Sequence, residues 1–359
     1  MHRVYNYGSI LQAYATQSVL TSLGFVCKII DYQYPNKIHP KDKVSLLIKF
    51  FKLCLQIKQG FPESKKRKKF HIFYRKYFNL TAYYPTKESL ENNPPEGDIY
   101  IVGSDQTWNT RHIGTDTTFL LSFVPEGKPK MSFSCSAAGL ELSGDFKDAF
   151  KRNISQFKAI SVREVNTQKL INNLVGINVP VTLDPTLLLD ASQWISLANS
   201  SNIKIKKPYI LVYVLKYSFH PYPLATQLIN KIYKETGYHV VCLRYSSREH
   251  LGIMDAEYLN ESVSPEDFLY LFQHASCVVT SSFHGTAFSI VFKKSFYSIV
   301  NSELSDDRIL NLLNMLGIRE RGISDITDYR GLEMDYTMVN KQLEKAKAES
   351  IKYLSDNLK

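Results

Sequence analysis

Asp105, Arg163 and His284 are of the types that manage charge and protons, and each stands in a turn that follows a strand-like run. Asp105 lies in Val102-Gly103-Ser104-Asp105-Gln106-Thr107-Trp108, after the DIYIV run at 98–102. Arg163 lies in Ser161-Val162-Arg163-Glu164, and His284 in Thr280-Ser281-Ser282-Phe283-His284-Gly285-Thr286, ahead of a helical run. A fourth turn, Asn6-Tyr7-Gly8-Ser9, opens another helix. A guanidinium forks across two oxygens of a phosphate or carboxylate, and a histidine at a helix amino terminus favours the same ligands. A carboxylate beside them suits a hydroxyl substrate as proton acceptor. Taken singly, each has an ordinary reading: Asp105 a helix cap, Arg163 with Glu164 a surface pair, His284 a hydrogen-bonded structural histidine, Asn6–Gly8 a tight turn with Ser9 as cap. Taken together, they describe an anion meeting a hydroxyl.

The elements that must position these turns alternate short β-branched or aromatic runs with helical periodicity, which indicates parallel sheet with crossover helices. In the first half the pattern predicts a helix over 11–23, strands over 25–32, 98–102, 130–134 and 159–162, and a helix over 164–174. The second half opens with YILVYVL (209–215). It continues with a helix over 223–236, a strand over 238–244, a helix started by Ser264-Pro265-Glu266-Asp267, a strand over 277–280, a helix over 286–292 and a strand over 296–300. One more helix is capped by Ser305-Asp306-Asp307, and 335–359 reads as a long terminal helix. The poorly patterned stretch 190–207 is the best linker candidate. The expected fold is α/β, two Rossmann-like domains facing a cleft: 1–190, 191–330, and a terminal helix in 331–359. Ligands of open parallel sheets bind beyond the carboxyl ends of the strands, where all four turns fall.

Composition supports a globular chain: of 359 residues, 44% are hydrophobic and 22% charged, which excludes a disordered or fibrous chain. Five cysteines, an odd number with no CxxC pair, fit a reducing compartment and argue against a disulfide framework or structural zinc. There is no GxxxxGK[ST], no GxGxxG and no HExxH, so no P-loop or dinucleotide fingerprint is present and no metal is called for. No apolar run approaches the ~18–20 residues that span a bilayer, and the polar, Tyr-rich start is unlike a leader. The expectation is a soluble cytoplasmic protein.

The net charge of +10 sits in one place. Residues 36–78 hold 13 Lys or Arg against Asp42 and Glu63, so this insert carries +11 and the remainder −1. That argues against a protein that coats nucleic acid over its whole surface. Residues 44–58 (VSLLIKFFKLCLQIK) place their polar members on one narrow helical face, and Lys65-Lys66-Arg67-Lys68-Lys69 is followed by FHIFYRKYF. Three readings are weighed: a helix docked on the body with a solvated basic loop after it, contact of 44–78 with an anionic membrane surface, and, last, nucleic acid, which is not the expected partner.

NYGSILQAYATQ at 6–17, VGSDQTWN at 102–109, SVRE at 161–164, LDPTLLL at 183–189 and SSFHGTAFSIVF at 281–292 resemble the polysaccharide pyruvyl transferase family, in order over roughly residues 5–320. The resemblance implies a GT-B-like fold and a reaction in which phosphoenolpyruvate, as co-substrate and with no cofactor, gives its three-carbon unit to two hydroxyls of a sugar as a cyclic ketal in surface or capsular polysaccharide biosynthesis. On that resemblance Asp105, Arg163 and His284 are the catalytic residues. Asn6, Gly8, Ser104, Ser282, Phe283, Gly285 and Arg308 bind the donor; Arg308 stands in for an arginine that some relatives carry where this chain has Ser282. The acceptor is a sugar, lipid-linked on this reading, handled by a cytoplasmic protein at the inner face of the membrane. The alternatives are a glycosyltransferase of the same fold using a nucleotide sugar, and a catalytically inactive anion-binding relative.

Overall fold

The computed structural model describes residues 2–33, 62–139, 142, 144–216, 219–243, 256–259, 263–301 and 307–359; the helix expected over 44–58 lies outside them. The first helix, α1 (Tyr7–Ser22), starts four residues before the expected 11, because Asn6 rather than Ser9 caps it: the Asn6 side chain accepts from Ser9 N at 3.2 Å. Strand β1 (Ile29–Tyr32) occupies only the end of the run expected over 25–32 and pairs in parallel with β2 (Leu80–Tyr84). Between them in sequence runs α2 (Pro62–Tyr77). The Lys cluster is therefore helical, not a solvated loop.

After α3 (Lys87–Asn92) comes β3 (Tyr100–Val102), which pairs in parallel with β4 (Lys130–Ser132) across α4 (Thr110–Ile113). The run 159–162 forms single parallel bridges rather than a full strand: Met131 with Ala159, Cys135 with Val162, and Val162 with Val181. Helices α5 (Gly144–Ile154) and α6 (Val165–Val175) flank it. The stretch read as a linker begins with α7 (Ala191–Ala198), whose Trp194 is fully buried, so its first turns are core.

The second half runs β5 (Tyr209–Tyr213), α8 (Tyr222–Thr236), β6 (His239–Leu243), β7 (Ala256–Leu259), α9 (Pro265–His274), β8 (Cys277–Thr280), α10 (Phe283–Val291), β9 (Ser295–Ile299), α11 (Arg308–Met315) and β10 (Gly322–Ile323). The six strands lie in the order β7-β6-β5-β8-β9-β10, all parallel. Counted from β5 this is 3-2-1-4-5-6, the Rossmann order, whose ligand crevice opens where the order reverses, between β5 and β8. Both strands are buried along their whole length, as a sheet covered by helices on both faces requires.

The last helix, α12 (Thr337–Asn357), crosses back to the first half. Tyr353 Oη donates to Ser132 O (2.8 Å), Ser350 Oγ accepts from Leu183 N (3.0 Å), and the Tyr353 ring stacks on Phe133. One apolar cluster accordingly joins Leu11, Phe133 and Trp194 to Phe268, Phe288 and Leu354. Among the described residues, no helix is long and apolar enough to cross a membrane.

Candidate active site

Strand β3 ends at Val102 and delivers Gly103, Ser104 and Asp105. Gly103 is required there: its φ is +118° and a Cβ would lie 2.0 Å from Phe133 O, so no side chain fits. The bridge at Val162 delivers Arg163, and the bridge at Val181 leads to Asp184. The loop after β8 delivers Ser282, Phe283 and His284, and Ser281 Oγ ties it to Leu215 beyond β5 (2.8 Å to N, 3.0 Å to O). His284 therefore stands at the switch point of the second sheet, facing the carboxyl ends of the first.

The centre of the cluster is Asp184, which the sequence reading had only as part of LDPTLLL. Its Oδ1 accepts from Thr186 N (3.0 Å) and Thr186 Oγ1 (2.8 Å), capping a short 3-10 turn over Pro185–Leu187. Its Oδ2 accepts from Arg163 Nη1 (2.7 Å) and Ser104 Oγ (3.0 Å) and lies 3.7 Å from His284 Nε2. Asp105 is 3.5 Å from Arg163 Nη2 and accepts from Ser9 Oγ at 2.6 Å. Glu164 lies 3.8 Å from Arg163 Nε, and the Arg163 guanidinium stacks 4.3 Å above the Phe283 ring. All five of the charged or ionisable groups here are buried. The structure thus brings Asp105, Arg163 and His284 together, from both halves.

The other expected donor residues fall into two sets. Gly8 touches the centre: a Cβ there would lie 2.1 Å from His284 Nδ1, so only glycine lets α1 approach the imidazole. Ser104 and Phe283 contact Asp184 and Arg163 as above. Arg308, first residue of α11, acts by charge on Glu164 and His112. Asn6, Ser282 and Gly285 serve the helices instead: Asn6 and Ser282 cap α1 and α10, Ser282 Oγ accepting from Gly285 N (3.3 Å), while Gly285 packs against Thr280.

Burial would raise the Asp105 carboxyl, yet Arg163, His284 and the Ser9 hydrogen bond outweigh it and hold it down at about 2. Burial would raise Asp184 too, but the imidazole and guanidinium beside it leave it well below the usual carboxylate range. For Glu164 burial wins over Arg163 and Thr167, and its carboxyl is raised. The thiol of Cys135, bridged to Asp105 and Val162, is pushed up to about 12 by burial, which leaves it protonated and unreactive at neutral pH.

His112, on α4, is a second residue missed in the sequence. Gln106 Oε1 accepts from Asn109 Nδ2 (2.5 Å), and His112 Nε2 lies 3.2 Å from the same oxygen. Nε2 therefore carries the hydrogen, leaving a buried Nδ1 with no hydrogen-bond partner. Burial, then Arg308, hold the ring neutral against the pull of Asp105.

Three buried nitrogens at the centre make no hydrogen bond: Arg163 Nε and Nη2 and His284 Nε2. The amino termini of α1, α6 and α10 converge on them, and α11 is joined to α6 where Asn311 Oδ1 accepts from Val165 N (3.3 Å). Helix amino termini carry about half a positive charge each, so they join Arg163 and His284 in offsetting the buried carboxylates of Asp105, Glu164 and Asp184. Among the described residues no group of His, Cys, Asp and Glu has the arrangement of a metal site.

Compared with known proteins, residues 6–303 match the family model described as polysaccharide pyruvyl transferase. No curated protein matches the chain. Solved structures that match include UDP-N-acetylglucosamine 2-epimerase from Rickettsia bellii (11% identity over 96% of this chain and 94% of that one, TM-score 0.44). Two others are E. coli ADP-heptose lps heptosyltransferase II (11%, 98% and 97%, TM-score 0.40) and the wall teichoic acid polymerase TagF (10%, 81% and 84%, TM-score 0.44).

Proposed function

The chain belongs to the polysaccharide pyruvyl transferase family, and from that premise we propose that it transfers the pyruvyl unit of phosphoenolpyruvate to two hydroxyls of one sugar, as a cyclic ketal, on a lipid-carried acceptor at the inner face of the membrane. The observation that carries this reading is the set of buried donors without a hydrogen bond, Arg163 Nε and Nη2 and His284 Nε2, which reach Glu164, Asp105 and Asp184 only at 3.5–3.8 Å where helix amino termini meet. A small polyanion with a carboxylate and a phosphate supplies oxygens to all three.

In this reading the methylene carbon of phosphoenolpyruvate takes a proton and its middle carbon becomes oxocarbenium-like. One sugar hydroxyl adds there as Asp105 accepts its proton. Phosphate then leaves as the bond between the middle carbon and its ester oxygen breaks, that oxygen departing with phosphorus. The second hydroxyl adds to the middle carbon, giving its proton to the departing phosphate, to close the ketal. The sum is phosphoenolpyruvate plus diol giving ketal plus phosphate, with no oxidant or reductant. Asp105, held at about 2 by Arg163, is a weak base on its own. A bound polyanion competes for Arg163 and repels the carboxylate, and both effects raise its proton affinity. Arg163 and His284 offset charge on the departing phosphate.

The test is turnover of phosphoenolpyruvate with candidate glycans, read as phosphate released and as the glycan's gain of one pyruvate less one water. His284→Ala is expected to abolish both. Turnover near wild type would remove His284 from the mechanism, and activity only with a nucleotide sugar would replace the reading with glycosyl transfer.

A further inference from the structure

We propose that the outer face of α2 is a docking surface for an anionic lipid bilayer. The helix has two opposed faces. Inward, Phe70 and Phe73 are fully buried and Tyr74 nearly so; the Lys66 ammonium sits over the rings of Tyr7 (4.9 Å) and Phe70 (5.5 Å), and Lys69 Nζ bonds Asp267 at 3.0 Å. Lys66 and Lys69 are thus committed to the fold, Arg67 lies over the Tyr5 ring at 5.4 Å, and the aromatic run is unavailable to a membrane.

Outward, Lys65, Arg67, Lys68, His71, Ile72, Arg75 and Lys76 are exposed. The spacing 65, 68, 72, 76 follows one line along the helix. Asn79 continues that line just past the helix end, and its Nδ2 donates to Cys27 O at 2.9 Å, which seats Val26 beside it. Ile72 is 52% exposed and Val26 87%. The stripe therefore sets the aliphatic Ile72 among three lysines, with Val26 a second protruding aliphatic beside the tethered Cys27, and the helix sequence holds a single acid, Glu63, against seven Lys and Arg. A soluble polyanion would satisfy the cations and leave both aliphatics in water. The headgroup region of a bilayer takes both, with lysine stems lying along the acyl boundary. With the aromatics inside, the contact is shallow, reversible and sensitive to salt.

This deepens the reading of a lipid-carried acceptor, since Lys66 joins α2 to Tyr7, next to the Gly8 that meets His284. Its test needs no turnover, so either reading can fail alone. The full chain is sedimented with vesicles of phosphatidylcholine, or of phosphatidylcholine with about one third phosphatidylglycerol. Binding is expected only to the anionic vesicles, falling as salt rises. Lys65→Glu with Lys68→Glu and Lys76→Glu is expected to weaken it about a hundredfold, and Ile72→Asn with Val26→Asn about tenfold. Unchanged circular dichroism shows that each variant is folded, and Lys65→Arg with Lys68→Arg and Lys76→Arg retains binding. Equal partition onto neutral vesicles, or wild-type binding by the charge-reversed variant, overturns the proposal. So does equal retention on soluble polyphosphate that the asparagine variant leaves untouched, which would assign the face to a polyanion.

Discussion

Asp184 divides its two oxygens between architecture and chemistry, one capping the 3-10 turn at Pro185 and the other receiving Arg163 and Ser104. That division explains its invisibility in the sequence: Asp-Pro-Thr reads as a cap and is one. His112 was hidden differently, because only the fold shows that Gln106 fixes its tautomer. Asp105, Arg163 and His284 could be singled out because each follows a strand-like run, and parallel pairing gathers such residues at one end. Gly8→Ala would drive a methyl into the imidazole. A displacement of about 1 Å at a reacting group costs on the order of a hundredfold, so phosphate release should drop by about that factor while the melting temperature moves little. Asp105→Asn removes the carboxylate that competes for Arg163. It is expected to bind phosphoenolpyruvate up to about tenfold more tightly by calorimetry while turnover disappears. The same substitution bears on acid stability. A carboxyl lowered from 3.8 to about 2 on folding stabilises the chain fully above 3.8, and that contribution is lost as pH falls toward 2. Unfolding followed across this window should lose about 2 kcal/mol less in Asp105→Asn than in wild type. The rest of the limb comes from Asp31, lowered likewise to about 2 against its burial by His2 and Arg3, and from Asp184, also held well below the usual carboxylate range.

At the scale of elements, the long buried strands and the Ser264 capping box were readable directly: α9 and β8 lie where the pattern put them. Short edge pieces were not. LTAYY (β2) and residues 256–259 (β7) are partly exposed and lack the continuous apolar run that marks β5 and β8, and 159–162 alternates like a strand but bridges only residue by residue. The basic cluster misled because its aromatic partners at 70, 73, 74 and 77 define a face only once the helix is seen to start at Pro62. Helix α2 is held to α1 and α9 by that face, with Phe73 edge-on to Tyr14 and tilted against Tyr77. Phe73→Ala should cost about 3–5 kcal/mol in chemical denaturation. A loss below about 1 kcal/mol would mean α2 is peripheral to the core.

For the whole molecule, the alternation of strands and helices revealed two parallel-sheet halves, and the second carries the 3-2-1-4-5-6 order. The return of α12 across to Ser132 and Leu183 was beyond the sequence, since an amphipathic helix does not say which half receives it. Its crossing ties both halves into one apolar cluster around a centre that each supplies in part. The central claim is that this centre is a single site for a small polyanion, with Arg163 from the first half and His284 from the second. Isothermal titration of the intact chain with phosphoenolpyruvate tests it most directly. One site per chain is expected, with binding weakened at least tenfold in Arg163→Met and in His284→Ala, about 1.4 kcal/mol or more for each. Binding that neither substitution changes, or no heat at millimolar ligand, would contradict it.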